Sequence, residues 1–144
     1  MTGAQADRPV VTARDVMHPP TTTVERGAHV AAAAYLMKQA GASALVVTSD
    51  DVDRQPIAIV TDADIAQVVA DGRNVDTTRI SDLVGTTPVT VAPETSVDEA
   101  AQMMVTAGIN HLPVVQDGRL VGMVTMQDAC RGLLMKQAVP TSSV

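Results

Sequence analysis

The sequence predicts an α+β fold built from two tandem copies of one small unit, each ordered β-α-β-β-α behind a short leading helix. Three observations predict it. An apolar run ending in Thr, with Asp three residues later, is written twice: Ile57-Ala58-Ile59-Val60-Thr61-Asp62-Ala63-Asp64 and Val121-Gly122-Met123-Val124-Thr125-Met126-Gln127-Asp128. Upstream, Met17 and Val84, Val24 and Val91, Val30 and Val97, and Gly41 and Gly108 all pair at an offset of 67 positions. That offset falls to 64 at Thr61 and Thr125, and the change lies between two strands. There the second copy turns tightly through Asp117-Gly118, a favoured hairpin dipeptide. A constant register with one length change at a hairpin is the mark of duplication.

The elements follow in order. Residues 1–11 are small and polar, a loose lead-in. Thr12 caps a one-turn helix over Ala13-Arg14-Asp15-Val16-Met17, which His18-Pro19-Pro20 stops. Thr21 to Val24 is a short β-prone run, and residues 28–40 are helical by propensity up to the C-terminal stop Gly41. Ala44–Thr48 and Ile57–Thr61 read as strands, and Asp62–Ala70 as a helix ending at Asp71-Gly72. The first copy therefore spans 12–72, a polar linker 73–79, the second copy 80–137 and a tail 138–144. A three-stranded sheet with two helices on one face buries too little apolar surface alone. The two copies are therefore expected to pack sheet to sheet about a pseudo-twofold axis, with two equivalent clefts between them.

Composition narrows the function. The hydrophobic fraction of 46% and charged fraction of 18% belong to a globular chain. There is no Phe or Trp and one Tyr, Tyr35, against 8 Met, so a flat ligand would lie between aliphatic side chains. The net charge of −6 argues against a nucleic-acid or anionic-membrane surface, both of which need clustered Lys and Arg. Cys130 is alone, which fits a reducing compartment. With no apolar leader and no run of roughly 18 apolar residues, a cytoplasmic location is expected.

The order of elements, with Asp15-Val16-Met17, Gly108-Ile109-Asn110-His111-Leu112-Pro113-Val114-Val115, Gly122-Met123-Val124-Thr125-Met126-Gln127-Asp128 and the linker Asp71-Gly72-Arg73-Asn74, resembles a tandem cystathionine β-synthase (CBS) domain pair, or Bateman module. The resemblance covers roughly residues 12–137 and is to the stand-alone bacterial type. It implies a non-enzymatic regulatory sensor of adenosine-containing ligands: AMP, ADP or ATP, or alternatively S-adenosylmethionine or an NAD-type molecule. It also implies a disk-shaped homodimer. No cofactor is required. The first copy departs from the pattern, with Val46 for Pro113, Ala58 for Gly122, and Ala42-Ser43-Ala44 for Ile109-Asn110-His111.

Chemistry and resemblance together give the candidate site. A Thr at a helix start sets its hydroxyl beside free backbone N–H groups, where a phosphate can sit. The Asp three residues on lies at the same helix end and can accept two hydrogen bonds from a ribose diol. In the second copy these are Thr125 and Asp128, with the base between Val89 or Thr90 and Ile109 and Pro113, and Asn110 and His111 at the edge. In the first they are Thr61 and Asp64, with Thr22, Thr23, Ala42, Ser43 and Val46.

Each residue has a plainer reading. Thr-x-x-Asp is also a helix capping box; its recurrence at matching positions adds weight to ligand contact. Thr95 to Glu99 is read purely as a cap. His111 either donates to a phosphate or is a partly exposed strand-edge residue. His18 is read as a turn residue, His29 as solvent-facing, and Arg131 as pairing with Asp128 or solvated. Cys130 is read as inert core packing, and Met37, Met103, Met104 and Met123 as core. The three His and one Cys have no metal-site spacing. Asp62 and Asp64 diverge on a helix, and no Ser or Cys has a visible His-plus-acid partner, so no catalytic residue is assigned. Two rivals stand beside the sensor: an interaction scaffold with vestigial pockets, and a small hydrolase or metal-dependent enzyme.

Overall fold

The computed structural model describes residues 10–19, 22–49, 55–83 and 89–138. In chain order the elements are α1 (Ala13–Val16), β1 (Thr23–Glu25), α2 (Val30–Ala40), β2 (Ala44–Thr48), β3 (Pro56–Thr61), α3 (Asp62–Ala70), a 3-10 turn (Ile80–Asp82), α4 (Val97–Ala107), β4 (His111–Gln116), β5 (Arg119–Thr125) and α5 (Met126–Ala138). Two compact units form. The first takes residues 20–89 and 117–121; the second takes the segment up to 19, 90–116 and the segment from 122 onward. No helix among the described residues is long and apolar enough to cross a membrane.

In the first unit, β2 lies between β1 and β3, parallel to β1 with Val24 opposite Val47 and antiparallel to β3 with Leu45 opposite Val60. A central strand is covered on both faces, which is why Leu45-Val46-Val47 reads as an unbroken apolar run. Helix α2 makes the crossover between the parallel strands, packing Val30, Ala33 and Met37 on Val24, Leu45 and Val47. It ends at Gly41, whose left-handed backbone (φ 62°) lets Ala42 N donate to Met37 O at 3.0 Å.

The second unit is the same plan with one strand reduced. Antiparallel β4 and β5 form a two-stranded sheet, joined by Asp117 (φ 53°) and Gly118 (φ 78°), the paired positive φ values of the expected hairpin turn. The strand expected at Thr90-Val91 is only a one-residue parallel bridge from Val91 to Val114. The reason is local. In the first unit the ladder continues through Arg26 N, which donates to Thr48 O at 3.1 Å. The equivalent position, 67 residues on, is Pro93, which has no N–H.

The leading segments are exchanged. Each docks in the unit built mainly from the other sequence copy, through backbone bonds that repeat at the 67-residue offset. Ile80 N donates to Ala28 O (2.8 Å) as Ala13 N does to Thr95 O (2.7 Å). Ser81 N donates to Arg26 O (2.9 Å) as Arg14 N does to Pro93 O (3.0 Å). Val30 N donates to Thr78 O (2.8 Å) as Val97 N does to Val11 O (2.9 Å). Ile80 and Ala13 are fully buried, and so is Val16 within 1%. Val11, at the end of the lead-in, is buried too; residues 1–9 and 139–144 lie outside the described residues.

In the second unit α1 fits against α4 and α5 because α5 carries Gly132 at the contact. A Cβ there would stand 2.7 Å from Val97 Cγ2 and 2.9 Å from Val16 Cγ1, both on stiff β-branched side chains. Gly132→Ala is therefore expected to be net destabilising despite Ala's better helix propensity. Overpacking costs about 1–3 kcal/mol, a fall of several degrees in melting temperature by calorimetry; an unchanged or raised melting temperature would contradict this packing.

Candidate functional site

The two Thr-x-x-Asp segments occupy equivalent places, at the junctions β3–α3 and β5–α5. Each is a capping box. Thr61 N donates to Asp64 Oδ2 at 2.9 Å while Asp64 N donates to Thr61 Oγ1 at 3.3 Å. Thr125 N donates to Asp128 Oδ2 at 2.9 Å while Asp128 N donates to Thr125 Oγ1 at 3.1 Å. The first N–H of each helix is taken as well: Asp62 N donates to Ser43 O and Met126 N to Asn110 O, both at 2.9 Å. Two of the first three N–H groups in each helix are thus engaged within the fold, fewer free donors than the Thr-at-helix-start argument supposes. Carboxylates cap two other turns, Asp15 to Thr12 N (2.9 Å) and Asp82 to Arg79 N (3.0 Å).

What separates Asp128 from its three counterparts is burial and charge. It is 7% exposed. His18 Nδ1 lies 3.0 Å from its Oδ2, and Arg131 Nη2 lies 3.1 Å from its Oδ1. The same guanidinium nitrogen reaches Val16 O at 3.1 Å, and His18 N and O both pair with Met123. Burial pushes the Asp128 carboxyl up, but the Thr125 N–H and hydroxyl, the His18 charge and Arg131 together outweigh it and hold the group below its usual value of 3.8. Arg131 pairs with Asp128, as the sequence suggested. His18 is not a plain turn residue, because its partner stands 110 positions away, beyond any local pattern.

The first unit lacks this charge arrangement. The residue equivalent to Arg131 is Gln67, whose amide donates to Asp71 Oδ1 at 3.0 Å, and the position 67 after His18 is Gly85. Asp64 Oδ1 accepts no hydrogen bond from the described residues, and Asp64 is only half-buried. Both differences were readable by aligning the copies at their two offsets.

The other candidates are scattered in accessibility. Thr125, His111 and Ile109 are half-buried, and Asn110 and Thr90 are exposed. Pro113 is buried and its carbonyl accepts from Val91 N at 3.0 Å. Val89 is exposed and belongs to the first unit. In the first unit Thr22, Thr23, Ala42 and Thr61 are half-buried and Ser43 is exposed, while Val46 is 3% exposed at the sheet centre. Ile109 and Ala42 each follow a helix-ending Gly and donate back to Met104 and Met37, so their positions are also set by helix termination. Ser96 is the cap read from the sequence, accepting from Glu99 N at 3.1 Å. Cys130 is exposed, not core; the buried residue next to it in the helix is Ala129.

The depressed Asp128 pKa has a sign that can be checked. In the unfolded chain the group titrates near its usual value, so on acidification the unfolded state takes up the proton first. The stabilisation is full above that value and is lost as pH falls through it toward the folded one. Between about pH 5 and about pH 3, denaturant midpoints are expected to fall more steeply for the wild type than for Asp128→Asn; equal slopes would mean the folded carboxyl is not depressed.

The chain matches the CBS domain family model twice, over residues 13–71 and 80–134. It is 34% identical over 116 residues to the CBS domain-containing protein YhcV of Bacillus subtilis, covering 80% of each chain. The CBS domain protein PAE2072 from Pyrobaculum aerophilum, complexed with AMP, superposes with a TM-score of 0.80 at 26% identity, covering 90% of this chain and 99% of that one. The CBS domain pair of protein MJ0100, crystallised with 5′-methylthioadenosine and S-adenosyl-L-methionine, gives a TM-score of 0.78 at 26% identity, covering 89% and 99%. The chain spans about half the length, 48% and 49%, of the first curated relatives it matches. With two matched copies, two units of matching plan and relatives of the same architecture, the chain belongs to the CBS-domain family, as a tandem pair.

Proposed function

We propose that this chain is a non-enzymatic regulatory module that binds an adenosine-containing ligand of the AMP, ADP or ATP class at the helix starts following β3 and β5. The observation that carries the reading is the pair of equivalent Thr-x-x-Asp junctions, each with a carboxylate at the end of a helix. The two similar CBS structures, one with AMP and one with 5′-methylthioadenosine and S-adenosyl-L-methionine, support it. In the second unit the contacts assigned are Thr125, Asp128, Asn110, His111, Ile109, Pro113 and Thr90, and in the first Thr61, Asp64, Thr22, Thr23, Ala42 and Ser43. Val46 is retained as backing under the first site. Ligand binding would act by shifting the balance between conformations, in proportion to the difference in affinity for them. A cytoplasmic homodimer belongs to the same reading.

A second reading has its own support. Because every Asp at these turns is a working cap, and both oxygens of Asp128 already have partners in His18, Thr125 and Arg131, the chain would serve as an interaction scaffold with vestigial pockets. Melting in the presence of AMP, ADP, ATP, 5′-methylthioadenosine and S-adenosylmethionine separates the two. A ligand at about 100 times its dissociation constant adds about 2.7 kcal/mol, several degrees for a chain of this size. The sensor reading expects such a shift, diminished in Asp64→Ala or Asp128→Ala and kept in the cap-only control Asp15→Ala. No shift with any of the five supports the scaffold, and Asp15→Ala abolishing the shift as fully as the other two would reduce the motif to a cap.

A further inference from the structure

We infer that Met17 is an oxidation site whose thioether, once turned into a sulfoxide by a hydroperoxide, releases the leading segment from the second unit. Gly122 in β5 supplies the seat. A Cβ there would stand 2.5 Å from Met17 Sδ, 2.9 Å from Met17 Cγ and 3.1 Å from His18 O, so the thioether occupies the space that the missing side chain leaves. Backbone bonds on either side hold it in register. Met17 N donates to Ala13 O (2.8 Å), and His18 N and O pair with Met123 O (3.1 Å) and N (3.0 Å). The equivalent strand position in the first unit is Ala58, a buried residue that already carries a Cβ. Met17 itself is half-buried. Its sulfur is thus within reach of a small oxidant while its apolar contact still helps to seat the leader.

The step needs one co-reactant. A lone pair of Sδ attacks the terminal oxygen of the hydroperoxide; the O–O bond breaks as the S–O bond forms. The thioether loses two electrons, and the peroxide leaves as water or an alcohol. A polar, chiral group now stands where an apolar one packed. The polar atom beside it in the seat is His18 O, an acceptor already engaged by Met123 N, and a sulfoxide oxygen is an acceptor too. Docked, it finds no donor in that seat; undocked, it has water, so oxidation favours the free leader. Release also withdraws Val16 from Gly132 and His18 from Asp128, so one sulfur governs the packing against α5. Met37, Met104 and Met123 are at most 8% exposed and are shielded in the folded chain. Met103 and Met126 are half-buried and Met135 is exposed, but none of them lies in the leader. A sulfoxide reductase drawing on a dithiol restores the thioether and with it the docked state.

Hydrogen exchange of the full chain before and after hydrogen peroxide, with the oxidised residues mapped by mass spectrometry, tests this. The amides of Ala13, Arg14 and Val97, which bond to Thr95 O, Pro93 O and Val11 O, report leader docking. They are expected to exchange at least about tenfold faster once Met17 is a sulfoxide. Treatment with methionine sulfoxide reductase should return them to the starting rate. Met17→Leu, similar in volume and inert to peroxide, should keep its protection after the same treatment. Three results would each overturn the inference: rates unchanged by a Met17 sulfoxide, a Met17 that stays a thioether while Met135 is oxidised, or an equal peroxide response in Met17→Leu. Should Met17→Leu fail to fold, partial oxidation of the wild type decides instead. The rise in exchange must follow the fraction of Met17 sulfoxide, and a rise that follows Met103, Met126 or Met135 overturns the inference.

Discussion

The second unit turns on one carboxylate. Asp128 is buried at the junction of β5 and α5, and three separate pieces of chain meet on it: Thr125 from the strand end, Arg131 from the next helical turn, and His18 from the leading segment. Arg131 extends the connection to the Val16 carbonyl at the end of α1. A buried charge is costly unless it is both paired and hydrogen-bonded; Thr125 and Arg131 meet that condition for Asp128 from its own junction, and the docked leader adds His18. The leader, in turn, is seated by backbone bonds and by the space that Gly132 leaves for Val16. Electrostatics and packing thus hold the same contact from two sides.

That contact belongs to a larger arrangement, the exchange of leaders. The repeat written in the sequence is not the repeat that folds: the segment leading each copy completes the unit built mainly from the other. The bonds at Ala13, Arg14 and Val97 reproduce those at Ile80, Ser81 and Val30 at a single offset, so the exchange is as symmetric as the duplication that produced it. Symmetry stops at the polar residues. His18 and Arg131 have become Gly85 and Gln67 in the other copy, and the carboxylates they would neutralise have diverged in burial and in openness. The backbone plan is duplicated, while the chemistry on it is not.

Features encoded within a few residues were legible in the sequence. The α2 helix with its Gly41 stop, the Asp117-Gly118 turn, the Ser96 cap and the bounds of α3 depend on local propensity, and they occur where the pattern places them. Features that depend on distant partners were not. Nothing near His18 announces Asp128, and nothing in the leading segment says which unit it completes. The shortened strand at Val91 was legible in principle, since Pro93 removes the donor that Arg26 supplies in the other copy. Cys130 was misjudged because an apolar helix face read from composition is wider than the face the helix buries: Ala129 turns inward and Cys130 outward. As for the site, the Thr and Asp pairs were found at their helix ends, but their mutual bonding leaves fewer donors for a ligand than the bare motif promises.

These strands lead to one proposal: that the helix starts after β3 and β5 hold an adenosine ligand, with capping Thr and Asp residues shared between the fold and the ligand. Titrating isotope-labelled protein with AMP and following its backbone amide resonances tests this most directly. The account predicts the largest shifts at the amides of residues 61–64 and 125–128, with the corresponding caps at Thr12 and Arg79 unmoved. Shifts confined to other surfaces, or none at saturating AMP, would contradict it.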